Sequence, residues 1–203
     1  MNYGDRGDFN GSGIAEYSYE PERTPMYYFK KIMFGWVIPI VVEIAIVMLL
    51  VKYVFFFVRV PTGSMIPTIE PGSILVTLRT HDPAKSIKRG DIVVFYSDEL
   101  KTNLCKRVIG MPGDKVSIQG DGSIKINNWI LHEPYVKNQF DYQQYYVNHT
   151  EFEVPEGHYV FMGDNRDNSD DARFWRQPYI SADNIIGEAK FTLFPFNKFG
   201  MLK

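Results

Sequence analysis

One serine in this chain stands in a setting that suits either a turn or a nucleophile. Ser64 lies between a glycine and a methionine in the proline-bounded stretch PTGSMIPT, residues 61–68. Proline and glycine favour turns, and a serine hydroxyl in such a stretch commonly bonds nearby backbone. The same hydroxyl becomes a nucleophile when a base beside it removes its proton. The base must come from elsewhere in the chain.

Two adjacent cations, Lys106 and Arg107, lie in an otherwise apolar run that reads LCKRVIG from residue 104. Because neighbouring side chains of a strand point to opposite faces, the two cations occupy opposite faces. Both faces are flanked by apolar residues, so the pattern does not show which cation is buried. A buried lysine can lose its proton, whereas arginine cannot. Lys106 is therefore a candidate base for Ser64, and the alternative is a surface lysine whose amine reaches water.

A dense polar stretch, GDNRDNSDDAR at residues 163–173, follows a predicted strand. Its asparagines and aspartates suit a solvated turn, where acid–arginine pairs contribute little to stability. In the functional interpretation, Ser169 orients the lysine amine, and Asp171 with Arg173 fixes the shape of the loop. The stretch alone does not decide between the two interpretations.

Other catalytic classes lack the residues that they need. The four histidines form no HExxH pair, and a single cysteine excludes a disulfide framework and a cysteine-rich zinc site, so we expect no metal. No phosphate-binding loop or dinucleotide fingerprint occurs, and we expect no cofactor. His158 and Asp164 offer a rival Ser-His-Asp triad for Ser64. A net charge of -2 gives no reason to expect nucleic acid as a partner.

The candidate serine follows an apolar run long enough to cross a membrane. Residues 32–51 read IMFGWVIPIVVEIAIVMLLV, roughly the 20 residues that a membrane helix needs. Pro39 and Glu43 oppose this assignment, but membrane helices tolerate proline, and the surrounding apolar residues offset one carboxyl group. The alternative is a buried helix of a soluble protein. The cations around the run favour, by a small margin, a cytoplasmic N-terminus.

The remainder of the chain predicts a mainly β fold. Short β-type runs alternate with glycine, asparagine, aspartate and proline turns, a pattern typical of an antiparallel domain. We predict a polar tail at 1–29, a transmembrane helix at 30–53 and a β-rich domain at 54–203 with an insertion at 132–150. The predicted strands are Ser73–Leu78, Asp91–Tyr96, Leu104–Ile109, Lys115–Ile118, Ser123–Ile126, Trp129–Leu131, His158–Met162 and Ile185–Leu193.

The ordered motifs resemble those of bacterial type I signal peptidases. An apolar anchor is followed by PTGSMIPT at 61–68, RGDIVVF at 89–95, KRVIGMPGD at 106–114 and GDNRDNSDDAR at 163–173. The resemblance implies a membrane-anchored serine endopeptidase of largely β fold, single-pass in the bacterial cell membrane with its catalytic domain on the outer face. Its partners would be the lipid bilayer and membrane-bound preproteins. From these it would remove signal peptides after small residues at positions -1 and -3.

The resemblance also implies roles for individual residues. Ser64 would be the nucleophile and Lys106 the general base of a Ser–Lys dyad. The Ser64 backbone N–H and the Thr62 hydroxyl would hold the oxyanion, at a position where the family has serine or glycine. The supporting residues, a hydrogen-bond partner of the lysine and a structural ion pair, would be Ser169, Asp171 and Arg173.

Specificity for small residues requires shallow pockets with bulky apolar walls, which would also keep Lys106 away from water. The candidate wall residues flank the two catalytic residues and are Val60, Met65, Ile69, Leu104 and Cys105. The chain departs from the family pattern at Ala172, where serine is usual, and this removes a secondary hydrogen bond. The short block at 111–157 predicts that the large extra β domain of some relatives is absent.

Two rival functions stay open from the sequence. One is a cytosolic Ser–Lys self-cleaving repressor of related fold, against which the anchor and the missing DNA-binding module count. The other is a catalytically silent, membrane-anchored β module for binding or assembly. Labelling of Ser64 by a serine-directed acylating inhibitor distinguishes an enzyme from the silent module.

Overall fold

The structure, a computed structural model, describes residues 24–137 and 147–202. The chain divides into two compact units between residues 46 and 47. Most of the predicted polar tail at 1–29 lies outside the described residues, as does the middle of the predicted insertion.

The first described element is a helical segment that Pro39 interrupts. A proline has no N–H for the carbonyl four residues earlier, here that of Gly35, and its ring would clash with that carbonyl. The chain widens into a π-helical turn just before this proline, a local adjustment by which helices accommodate proline. The segment consists of α1 (Pro25–Ile32), the π-helical turn (Met33–Val37) and α2 (Ile38–Tyr53).

This helical segment, Pro25–Tyr53, has 29 residues and a mean hydropathy of 2.6 in its apolar window. By length and composition it can cross a membrane, and it is the one such helix in the part of the chain that the structure describes. The prediction of one N-terminal apolar helix ahead of a β domain is confirmed. The boundaries at 30–53 and 54–203 stay predictions.

Two antiparallel sheets form most of the regular structure in the rest of the described chain, which confirms the predicted fold class. The larger sheet has eight strands in the order β1-β2-β11-β3-β4-β9-β10, with β12 paired to β11, and the smaller has the order β7-β6-β5-β8. A short helix, α3 (Pro83–Ser86), follows β2. The strands are β1 (Phe55–Arg59), β2 (Ile74–Arg79), β3 (Ile92–Ser97), β4 (Thr102–Gly110), β5 (Lys115–Ile118), β6 (Ile124–Ile126), β7 (Trp129–Ile130), β8 (Glu151–Glu153), β9 (His158–Met162), β10 (Ile180–Ser181), β11 (Ile185–Phe194) and β12 (Gly200–Met201).

Two apolar clusters fix the strands that carry the candidate site. The larger cluster joins the small sheet to β3, β4 and β9, with residues such as Phe95, Val108 and Phe152 almost fully buried. The smaller cluster packs against the PTGSMIPT loop and includes Met65 from that loop and Ile69, the residue that follows it. The loop is therefore held from below by apolar packing, not only by its turns.

A substitution at Gly110, the last residue of β4, would show how tightly the larger cluster is packed. A Cβ at this position would lie 2.9 Å from Val154, 3.0 Å from Val160 and 3.1 Å from Val116. We expect Gly110→Ala to lower the free energy of unfolding by about 1–3 kcal/mol through overpacking. Urea unfolding measures this, with Gly120→Ala as the matched control because nothing lies within 4 Å of a Cβ there. Equal stability of the two variants would contradict the packing described.

Candidate active site

Ser64 lies in the turn that follows β1, and its side chain is buried. Its residue is only 6% exposed, and its carbonyl accepts a hydrogen bond of 3.0 Å from the Asn165 backbone N–H. The Asn165 side chain also donates to the Gly63 carbonyl at 2.9 Å. The turn that carries the serine is therefore fastened to the polar loop at 163–173.

Thr62 lies beside the candidate nucleophile. Its Oγ1 atom is 3.4 Å from the Ser64 Oγ atom. A threonine has two heavy atoms on Cβ and so few rotamers, which limits how far this hydroxyl can swing away. The structure thus brings together the two groups that the sequence pairs as nucleophile and oxyanion donor.

Lys106 lies in the middle of β4 and is 4% exposed. Its Nζ atom donates to the Ser169 hydroxyl at 3.0 Å, so its described hydrogen-bond partner is neutral. Burial lowers the pKa of the Lys106 amine below its usual value. The nearby Asp171 carboxylate acts in the opposite direction and Arg173 reinforces the effect of burial, but burial is the largest cause.

The Asp171–Arg173 pair is buried and shapes the loop around Ser169. The Arg173 guanidinium donates to both carboxylate oxygens, at 2.8 and 2.9 Å, and the Gly163 backbone N–H donates to Asp171 Oδ2 at 2.9 Å. Burial by itself would raise the pKa of Asp171, but these partners stabilise the carboxylate and the pKa lies below its usual value. Asp171 is therefore ionised at neutral pH.

A second buried ion pair, which the sequence did not predict, joins β4 to the same loop. Arg107 donates to Asp164 through Nε at 2.8 Å and Nη2 at 2.6 Å, and both residues are almost fully buried. Thr68 of the nucleophile loop donates to the Asp164 carboxylate at 2.5 Å. The only sequence signal for this pair was the position of each residue inside a dense motif.

The rival triad does not form around Asp164. The Asp164 carboxylate is bound by Arg107 and Thr68. The His158 ring makes its described hydrogen bond, 2.9 Å through Nδ1, to the Glu156 carbonyl. Among the described residues, no cluster of histidine, cysteine, aspartate or glutamate side chains could hold a metal ion.

A cavity of about 200 Å³ contains both Ser64 and Lys106 in its lining. Of the five predicted wall residues, Val60, Leu104 and Cys105 line it. Met65 and Ile69 do not, and they are 0% and 1% exposed in the smaller apolar cluster. These two residues support the loop from below, while the role of the other three in substrate selection stays a prediction.

Cys105 also lines the cavity but is poorly suited to act as a nucleophile. Burial raises the pKa of its thiol to about 12, so the thiol is protonated at neutral pH. Ser64 is therefore the better candidate nucleophile in this cavity.

The chain matches the family model described as signal peptidase, peptidase S26, over residues 33–194. The chain belongs to this family. It is 34% identical over 174 residues to signal peptidase I of Bacillus licheniformis, an alignment that covers 83% of this chain and 92% of that protein. Signal peptidase I T of Bacillus subtilis (strain 168) is 35% identical over 173 residues, which cover 83% of this chain and 89% of that protein.

Membership in the signal peptidase family supports cleavage of signal peptides by a serine peptidase as the activity of this chain. A crystal structure of a signal peptidase I from Enterococcus faecalis V583 is 30% identical, with coverage of 51% of this chain and 97% of that one and a TM-score of 0.41. The fold class assigned above follows from the strand order of this chain itself.

Gly163 is a point where the polar loop lies close to the nucleophile turn. A Cβ there would lie 2.5 Å from the Ser64 carbonyl oxygen and 2.6 Å from Ser169 Cβ. We expect Gly163→Ala to displace one of these two residues and to lower kcat on the order of 100-fold. Cleavage of a labelled preprotein in detergent measures this, with Gly120→Ala as the control. Wild-type turnover of Gly163→Ala would show that this close approach is not needed.

Proposed function

We propose that this signal peptidase family member works through a Ser64–Lys106 dyad. The observation that carries the proposal is a buried lysine amine whose hydrogen-bond partner is the Ser169 hydroxyl and whose cavity also contains Ser64. Burial favours the neutral form of a lysine amine, and the neutral amine is the form that can accept a proton.

The reaction begins with proton transfer from Ser64 to neutral Lys106. The serine oxygen attacks the carbonyl carbon of the scissile peptide bond, and the carbonyl oxygen takes the negative charge. The Ser64 N–H and the Thr62 hydroxyl stabilise this oxyanion, and one such donor is worth about 3–4 kcal/mol. Protonated Lys106 then gives its proton to the leaving amine, and the mature protein departs.

The second half of the reaction releases the signal peptide. Neutral Lys106 takes a proton from a water molecule, which attacks the acyl-serine ester. The ester collapses to a carboxylate, and the proton returns from Lys106 to Ser64. One amine therefore serves as base and acid in both halves, which requires that its pKa be near the working pH.

We further propose that the cleavage site is selected by the lining of the cavity. Val60 and Leu104 are apolar and, with Cys105, leave about 200 Å³ of space, which suits small side chains at positions -1 and -3. The helix Pro25–Tyr53 would anchor the domain in the bacterial cell membrane, with the N-terminus cytoplasmic and the β domain on the outer face. Membrane-bound preproteins would then reach the cavity from the bilayer.

Ser64→Ala and Lys106→Ala should each abolish processing of a preprotein by the full chain in detergent. Lys106→Arg should also be inactive, because a guanidinium keeps its proton and cannot act as a base. The control is Lys125→Arg in the small sheet, which should process the preprotein normally. Turnover in Lys106→Arg would contradict a neutral-lysine mechanism. Turnover in Ser64→Ala would show that Ser64 is not the nucleophile.

The pH dependence of kcat/KM reports on Lys106. Activity should rise with pH as the amine loses its proton, with a midpoint below the ordinary lysine value of 10.5. The Asp170 carboxylate raises the pKa of Lys106, so Asp170→Asn should move the acid limb of the profile to lower pH. Asp121→Asn, a change to an exposed acid of the small sheet, is the control. An acid limb that moves to higher pH in Asp170→Asn would contradict the assignment.

A further inference from the structure

The segment Glu133–Lys137, here called the strap, lies against the second ion pair of the site. The Tyr135 ring covers the Arg107 guanidinium, with 3.9 Å between the ring centroid and Arg107 Cζ. The Tyr135 hydroxyl donates to Glu133 Oε1 at 3.0 Å. Burial raises the pKa of Tyr135, so this hydroxyl stays protonated and remains a donor.

Two further contacts join the strap to the polar loop. Glu133 forms a nearly buried ion pair with Arg166, with contacts of 2.5 and 3.2 Å. Arg166 in turn donates through Nε to the Gly163 carbonyl at 3.0 Å. The Lys137 backbone N–H donates to the Asp164 carbonyl at 3.3 Å. The strap thus contacts the loop at Asp164 and Arg166, on both sides of Asn165, whose backbone N–H bonds the Ser64 carbonyl.

The residues that the strap contacts are in turn connected to both Lys106 and Ser64. Arg107 is the neighbour of Lys106 in β4, and its ion-pair partner Asp164 is the neighbour of Asn165, which binds the nucleophile turn at the Ser64 and Gly63 carbonyls. Ion pairs of this kind are strong only while water is excluded. The Tyr135 ring provides that exclusion on one side of the Arg107 guanidinium.

The geometry points to Glu133 and Tyr135 as positioning residues, which hold the nucleophile turn and the lysine strand in register by closing over the Arg107–Asp164 pair. This inference rests on the proposed dyad and deepens it. Residues 133–137 are all described, and none of them lines the cavity that contains Ser64 and Lys106. Their effect on the reaction therefore passes through the loop and not through contact with substrate.

The test compares two changes at one position in the full chain in detergent. Tyr135→Leu removes the aromatic face, and we expect kcat to fall on the order of 10-fold to 100-fold with KM unchanged to within about twofold. The acid limb of the pH profile should move to higher pH, because a loosened loop admits water to Lys106. Tyr135→Phe keeps the ring over Arg107 and should restore most of kcat and the original pH profile.

The control is Trp129→Leu, since Trp129 also lies over an arginine, Arg89, with 5.6 Å between ring centroid and Cζ, but in the small sheet. Its kcat and pH profile should stay at the wild-type values. If Tyr135→Leu fails to fold, Glu133→Gln takes its place, with the same expected fall in kcat and shift of the acid limb. A wild-type kcat in the strap variant, an unmoved acid limb, or no rescue by phenylalanine would each overturn the inference.

Failure of this inference is distinguishable from failure of the dyad. If the dyad is wrong, Ser64→Ala or Lys106→Ala processes preprotein. If only the strap is wrong, both of those variants are inactive while Tyr135→Leu behaves like wild type.

Discussion

The structure depends on one costly feature, a lysine amine buried in a central strand. Taking a charged ammonium out of water costs several kcal/mol, so the group must find a counter-charge or give up its proton. Two adjacent cations of strand β4 illustrate these two options. Arg107, which cannot lose its proton, is paired with Asp164, whereas Lys106 on the opposite face bonds the Ser169 hydroxyl. The pairing of the first cation leaves the second free to be neutral.

The polar loop must bring Ser169 to Lys106 without bringing a bare negative charge with it. Asp171 is close enough to raise the pKa of Lys106, and Arg173 is close enough to lower it. Because the two side chains are joined by a bidentate pair, their opposing effects reach the amine together. A buried pair of this kind is strongly destabilising when one partner is lost. The ion pair therefore shapes the loop, and its arginine opposes the effect of its carboxylate on the pKa of Lys106.

The strands with strong β-branched runs could be predicted from the sequence, and the contact of Ser169 with Lys106 was expected from the motifs. Other contacts between motifs could not be predicted. Lys115–Ile118 and His158–Met162 are predicted with the observed bounds, whereas Glu151–Glu153 was missed because two charges flank its one apolar residue. The Arg107–Asp164 pair and the approach of Gly163 to Ser64 depend on residues far apart in the chain. Periodicity within a strand cannot show such contacts. Residues 132–150 show no clear period, so the sequence predicts an insertion there and gives no sign of the contacts that Glu133 and Tyr135 make with the site.

The five predicted wall residues fall into two groups in the structure, one that supports the nucleophile turn and one that lines the cavity. Met65 and Ile69 are fully buried under the nucleophile turn, so their bulk fixes the backbone of Ser64. Val60, Leu104 and Cys105 line the cavity. In the proposed function, the same apolar surface keeps water from the lysine and limits the size of an entering side chain. Enlarging the cavity by shortening one of these three would therefore also hydrate Lys106. Under the proposed mechanism, a wider specificity and a well-activated base would be in conflict in this site, which would be a physical reason to accept only small residues.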